Sequence, residues 1–543
     1  METPLIINAF DVHNTLDPHR AFDTAARHPV LNIYDSLLAI ADDNTVVPSL
    51  ADQLPTVRER QGEWWASIPI RSGVRFHDGS TLGVEDVVYS LRRGVITADG
   101  PSSLWSDALL GTPLTKITTN AAIDMIHRIQ ATADGVWLRM SAPYSPLGAL
   151  LVQWSLIVNK AWCAGAGEWD GEPQTVDRFV RPDTTWLDDH TNGTGPYAMH
   201  QWLPDRGELH FQRHENYWGA PAEPTSVVLR SVDDRLQRER ELLAGECDFA
   251  VCQPESRDRL GILDGIVLEK LPDEWSINPL GFITQRLDPE CPAVGSGVFG
   301  PGGLRPDAFT DPHLRRMLSL CFDEQRFVEE VLDGEGIRHR APFPRPALPA
   351  SDASGIPFDL GRARQELELA WDGQVARDGC RIVLYTHATN ISRVKAADIL
   401  ADGLRAVSDR IVVVVEPVDM TDLARLLYSS QCPVAWVGWA CDFLHPYALA
   451  STLLDGRAPL PTALGIRDER LQQLVTLARG AAGPDEFAVY QSMADHAQEQ
   501  ALFLSAPGKI SYMTHSDKWW GVRLKNQVPN VLDFASFRLR ELA

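Results

Sequence analysis

Residues Arg71 to Arg93 read RSGVRFHDGSTLGVEDVVYSLRR. Val84, Val87, Val88 and Leu91 fall at i, i+3, i+4 and i+7, the spacing of one helical face. Glu85 and Asp86 occupy the first turn and Arg92 and Arg93 the last, an order that suits the helix dipole, and Gly94 is expected to stop the helix. Upstream, FHDG reads as a turn with Gly79 at the position that needs positive φ. The stretch is therefore a turn feeding a capped amphipathic helix.

Similar elements follow along the chain. Leu236 to Ala244 reads as a helix that ends at Gly245 and runs into the strand-like CDFAV. Leu314, Met317, Leu318 and Cys321 form a helical face, after which Asp323 caps a second helix through Leu332, closed by Gly334. Ser392 reads as the start of a helix carried by Val394 to Val407. Gly379 to Thr386 (GCRIVLYT) and Ile411 to Val415 (IVVVV) are continuous apolar runs of the kind buried strands show. Strand–helix–strand order makes this region α/β, whereas the first 280 residues alternate more and read as mixed α+β. The Pro/Gly-rich stretches Pro289 to Pro306 and Ala341 to Pro357 lie between patterned segments and read as loops; no repeat is visible.

A length of 543 residues implies three to four domain-sized units. With 44% hydrophobic and 23% charged residues the composition is globular, which excludes wholesale disorder. The net charge of −23 argues against nucleic acid or an anionic membrane surface as the main partner. The most apolar stretch, Leu147 to Val158, contains Gln153 and Ser155 and falls well short of the roughly 20 residues that span a bilayer. The opening METPLIINAFDVHNTLDP has neither a basic n-region nor an apolar h-region, so the chain is either cytosolic or without its leader. Eight cysteines are too sparse for a disulfide scaffold. Cys247 and Cys252, and Cys432 and Cys441, lack a second pair at zinc spacing, so buried thiols are expected; a Cys432–Cys441 disulfide stays open if the chain is exported.

Catalytic motifs are missing. GSGVFG at Gly295 to Gly300 satisfies G-x-G-x-x-G as a string, but Pro292 precedes it and Pro301 follows, where a strand and a helix belong. Ser392 to Lys395 is an S-x-x-K string without a K-T-G partner. His210 and His214 sit in a strand-like segment, where a four-residue spacing makes no helical metal face and polar surface is the simpler reading. No catalytic centre, resident metal or cofactor is expected, and binding becomes the leading class.

Several blocks resemble a known family. RSGVRFHDGSTLGVEDVVYSLRR is similar to the "GVxFHDG…EDVVxSL" block of the peptide/nickel-type extracellular solute-binding proteins of bacterial ABC importers. GTGPYAMHQWLPDRGELHFQRHENYWG at Gly193 to Gly219 resembles the family's GTGPY block and its N-x-x-YWG ending. LAGECDFAV, LRRMLSLCFDEQRFVEEVLDGEG, VAWVGWACDFLHPYALASTLL, NTLDPHRAFD and NIYDSLL follow in the family's order. These motifs read mainly as fold-keeping, with small residues beside aromatics where a turn packs tightly.

The resemblance implies a two-lobed periplasmic-binding-protein-like fold, α/β and α+β, with an extra accessory subdomain in lobe I. Carried over, lobe I takes residues 1–48, 168–272 and 508–543, the accessory subdomain 49–167, and lobe II 273–507. It also implies a non-enzymatic monomer that captures a short peptide between closing lobes and delivers it to a membrane ABC permease, with no nucleic-acid partner. Localisation would be periplasmic or membrane-anchored if a leader has been removed. An opine, sugar conjugate or nickel chelate is the alternative ligand, and a cytosolic ligand sensor the remoter one. Asp442 matches an aspartate that pairs with the ligand's α-ammonium in peptide-binding relatives; a cap of the following DFLHP turn is its other reading. Trp439 is an aromatic wall or core, Trp105 matches a cleft-lining accessory tryptophan, and Trp154 and Phe22 lie in segments that reach the cleft but also read as core. One departure from the family is His445, which stands where many relatives carry an acidic residue after that aspartate.

Overall fold

The computed structural model describes residues 4–9, 15–114, 116–252, 256–348, 355–525 and 531–540. The chain divides into two compact units, Met1–Lys270 with Tyr512–Ala543, and Leu271–Ser511.

In the first unit the main sheet orders its strands as Ile266–Lys270, Tyr512–Ser516, Phe249–Cys252, Leu5–Ala9, Ser226–Ser231, Glu208–Arg213 and Tyr197–Leu203. Leu5–Ala9 runs parallel to both neighbours, and the remaining pairings are antiparallel. A second, antiparallel sheet joins Thr56–Arg60, Glu63–Pro69, Gly135–Met140 and Ile129–Ala131. Ala66, Ile68, Val136, Leu138 and Met140 alternate onto its buried face. Helices Val84–Thr97 and Asp99–Leu110 pack against this sheet.

The helix begun at Val84 does not stop at Gly94. It runs on to Thr97 because Val95 and Ile96 continue the buried face, and it ends at Ala98 in extended backbone; the left-handed glycine stop, Gly111 with φ 80°, closes the next helix, Asp99–Leu110. Gly94 instead packs on His19: a Cβ there would lie 3.5 Å from the imidazole. Gly79, at φ 85°, makes the expected turn. In the GTGPY block, a Cβ on Gly193 or Gly195 would lie 2.1 or 2.6 Å from the Ile33 backbone, so both positions admit only glycine.

The second unit is built on a sheet ordered Ile411–Val418, Cys380–His387, Val434–Ala440, Ser276–Ile283 and Phe503–Ser505. The first three strands are parallel, and Ser276–Ile283 is antiparallel to both neighbours. Helix Ile391–Val407 makes the crossover that parallel strands require. It lies so close to Cys321 that a Cβ on Gly403 would fall 1.9 Å from that carbonyl oxygen. Its N-cap is Asn390, whose Oδ1 accepts from the Arg393 amide at 3.1 Å, rather than Ser392, which sits within the first turn. The IVVVV run also differs from its expected burial. Its strand is an edge, where only one face is covered, so Val413 is buried and Val412 exposed. Cys432 and Cys441 are free thiols, as are the other described cysteine side chains.

Burial holds several imidazoles neutral: His19, His28, His77 and His339 are all pushed down to about 4. A depressed imidazole adds stability that is complete above the unfolded value near 6.5 and lost as pH falls towards 4. Each can contribute a slope of about 1.4 kcal/mol per pH unit in that window. Urea unfolding at pH 7, 6 and 5 should therefore give steeply falling midpoints; equal midpoints at all three would show that these histidines titrate freely in the fold.

Candidate functional site

In the first unit the segment Thr15 to Asp23, which carries Phe22, has almost no secondary structure and is held by ions. Asp17 and Arg93 are both buried and form a bidentate pair, with Nη1 and Nη2 donating to Oδ1 and Oδ2 at 2.7 Å each. Thr185 Oγ1 donates to Asp17 Oδ2 at 2.7 Å, the His19 amide donates to Oδ1 at 3.0 Å, and Arg93 Nη2 also reaches Glu168 Oε2 at 3.1 Å. Burial alone would raise the Asp17 carboxyl, but the charge and hydrogen bonds of Arg93 win and hold it well below the usual carboxylate range. His19 completes the network as a neutral ring. Its Nε2 donates to Leu156 O at 3.0 Å, and Nδ1 accepts from Arg93 at 3.0 Å.

Phe22 and Trp154 come together: their rings stack at 5.4 Å and 21°. Phe22 is the outer layer, 51% exposed, and Trp154 the buried one. Trp105 lies in helix Asp99–Leu110 with no accessible surface, beside Gly94, and its Nε1 has no partner among the described residues.

In the second unit Trp439 and Asp442 lie at the end of one strand. Trp439, half-buried, pairs with Ile277 across the sheet and meets Phe282 edge-on at 6.0 Å. Asp442 is half-buried two residues beyond Ala440, and burial pushes its carboxyl up to about 6. The cap of the following helix, Pro446–Leu449, comes from His445, whose Nδ1 accepts from the Tyr447 amide at 3.2 Å. His445 Nε2 faces Glu486 Oε1 at 2.9 Å, so the residue that departs from the family pattern carries its own acid.

Sequence reasoning passed over Arg393, which appeared only inside an S-x-x-K string. Its Nε donates to Asn278 Oδ1 at 3.0 Å, and burial lowers its guanidinium below the ordinary value. No ion pair to it occurs among the described residues. Gly438 makes room for it, since a Cβ there would lie 2.6 Å from Nη2 and 3.0 Å from the Asn278 side chain. Local sequence carries no signal for this role, because Asn278, Arg393 and Gly438 meet only through the sheet. Among the described residues no group of three or more metal-ligating side chains gathers, and no helix is long and apolar enough to cross a membrane.

These features define a mixed α/β periplasmic-binding-protein fold. Residues 45–459 match the model of the bacterial extracellular solute-binding proteins, family 5, and the chain belongs to that family. It is 30% identical over 368 residues to Protein XP55 of Streptomyces lividans, a match covering 64% of this chain and about half, 55%, of that relative's length. Among solved structures it resembles the periplasmic binding protein DppA of Helicobacter pylori in complex with the peptide STSA, with TM-score 0.70, 18% identity and 99% and 98% of the two chains covered. It also resembles NikA of Brucella suis in complex with Fe(III)-EDTA, with TM-score 0.74, 16% identity and 99% and 100% covered.

The Asp17–Arg93 pair has a measurable signature. Arg93→Met strands a buried carboxylate and should cost about 3–5 kcal/mol of unfolding free energy, whereas adding Asp17→Leu should restore much of it. A loss in the double variant equal to the sum of the two single losses, by urea titration, would mean that the two residues act independently.

Proposed function

We propose that this protein is the substrate-binding component of an ABC importer and that it takes a short peptide, with Asp442 receiving the α-ammonium group. The observation that carries the reading is the charge arrangement around Gly438 and Trp439. Arg393, a cation without an ion-pair partner among the described residues, packs against Gly438, and the acid Asp442 follows four residues further along the chain. From Gly438 to Asp442 the chain spans about 13 Å at most if extended. A zwitterionic di- or tripeptide has opposite charges at a comparable separation. Within the same unit Trp439, half-buried and edge-on to Phe282, then supplies aromatic surface beside Asp442. The DppA relative crystallised with a peptide supports the same ligand class. Delivery to a membrane permease outside the cytoplasm, by a monomer, is the corresponding proposal for the whole protein; family membership supports it.

Asp442 must be ionised to hold an ammonium group, and its carboxyl stands at about 6 without ligand. Peptide affinity should therefore fall as pH drops below 6, by up to tenfold per unit, and binding near pH 6 should release protons. It should also weaken above about pH 8, where the peptide's amine loses its own proton. Calorimetry across that range with di- and tripeptides tests this. Asp442→Asn should abolish the acid limb and weaken binding by about 2–5 kcal/mol. Gly438→Ala should displace Arg393 and weaken binding while leaving the unfolding midpoint within a few degrees. Stabilisation by an opine or a metal chelate, with none by any peptide, would transfer the site to that ligand class.

A further inference from the structure

A cavity of about 250 Å³ lies within the first unit, between the NIYDSLLAI stretch and the returning residues Arg523 to Lys525 and Asp533. Liquid water would fill that volume with about eight molecules, so it is more than the seat of one bridging water. Leu31, Ile40, Leu156 and Leu524 give it an apolar wall, and five charged side chains also line it. Four of the five are paired. Arg523 Nη1 donates to both oxygens of Asp42 at 3.0 and 2.8 Å, and Lys525 Nζ lies 3.3 Å from Asp533 Oδ1. Asp35 is the fifth. Its Oδ2 accepts from Thr194 Oγ1 at 3.0 Å and Trp218 Nε1 at 2.9 Å, its Oδ1 from Tyr217 Oη at 3.3 Å, and no ion pair to it occurs among the described residues. Three neutral donors leave one of a carboxylate's roughly four acceptor positions open, on Oδ1. Burial raises the Asp35 carboxyl even with the charge of Lys525 working against it. A carboxylate taken from water without its own countercharge is costly, and here space for a countercharge adjoins it.

We propose that this cavity binds a small organic ammonium ion, with its charged head on Asp35 and its short apolar stem against Leu31, Ile40, Leu156 and Leu524. The bond is a charge-assisted one, from the ammonium N–H to the carboxylate. An anion is disfavoured, because both cations that line the space already hold carboxylates. An inorganic cation needs several oxygen ligands, and no group of three or more metal-ligating side chains gathers among the described residues. Drug-sized ligands take roughly 300–1,000 Å³, so the occupant here is smaller, the size of a short alkylamine. The site lies in the first unit and Asp442 in the second, so it does not depend on the peptide reading. Its occupant would touch the acid on which the NIYD, GTGPY and YWG blocks converge, and occupancy should therefore stabilise the fold. A water-filled cavity with Asp35 protonated is the competing arrangement, and it predicts no preference among cations.

Thermal unfolding of the whole protein at pH 7 tests this with butylammonium chloride, sodium chloride at equal ionic strength, and sodium chloride with added butan-1-ol, the uncharged isostere. The parent protein carries Asp442→Asn, so that an ammonium group held at the proposed peptide site contributes nothing. The expected result is a midpoint several degrees higher in butylammonium, saturating with concentration, and no rise with butan-1-ol. Asp35→Asn keeps an acceptor oxygen but removes the charge, and should abolish the shift. Ala39→Leu places a larger side chain in the same cavity and should weaken butylammonium binding at least tenfold by calorimetry, with Asp35 intact. If one variant does not fold the other decides, and if neither folds the comparison of the three solutions on the parent decides. Equal midpoints in the three solutions, or a shift that survives Ala39→Leu, overturns the proposal. Failure of every peptide to bind the wild-type protein would count against the peptide reading and leave this result as it stands.

Discussion

The buried pair between Asp17 and Arg93 is the constraint on which the candidate site of the first unit rests. The segment from Thr15 to Asp23 lacks a strand or helix to hold it, so apart from a backbone bond from the Leu16 amide to Asp188 O its position is set largely by side chains. A bidentate carboxylate–guanidinium contact is directional in a way that apolar packing is not. It ties that segment to helix Val84–Thr97, which is in turn seated on the antiparallel sheet. Phe22 follows five residues later, so its place beside Trp154 inherits the geometry of that pair.

A second convergence explains why the family's sequence blocks travel together. Asp35, in NIYD, accepts from Thr194 Oγ1 of the GTGPY block at 3.0 Å, from Tyr217 Oη at 3.3 Å and from Trp218 Nε1 of YWG at 2.9 Å. Arg71, at the head of the FHDG block, lies 4.7 Å from the centre of the Trp218 ring. Burial raises the Asp35 carboxyl even though these donors work against it. Blocks far apart in the chain are therefore tied through one acid and the rings around it. Their glycines allow backbone to meet backbone, as Gly193 and Gly195 do at Ile33.

Much of this was legible from local pattern. The helices begun at Val84, Arg235, Pro312 and Glu324 follow apolar spacing and acidic caps that act within one turn. The misreadings share a cause. Gly94 looks like a stop until His19 packs on it, and IVVVV looks fully buried until its strand turns out to be an edge. In both cases the local signal is real and a distant partner overrides it. Arg27 and Arg393 are the sharper examples: each is an unremarkable surface-type residue in the string, yet Arg27 is buried and Arg393 half-buried, both without an ion-pair partner among the described residues.

The sequence by itself identified the family, through the order of its motif blocks, and the mixed α/β class and several helices, through periodicity and caps that neighbouring residues supply. The tertiary structure alone decided which charges are paired. A carboxylate or guanidinium changes meaning with burial and with what lies a few ångströms away, and neither is written in its immediate neighbours. That is why Arg93 is satisfied, why Arg27 is not, and why His445 caps a helix while Asp442 sits beside it with its carboxyl raised.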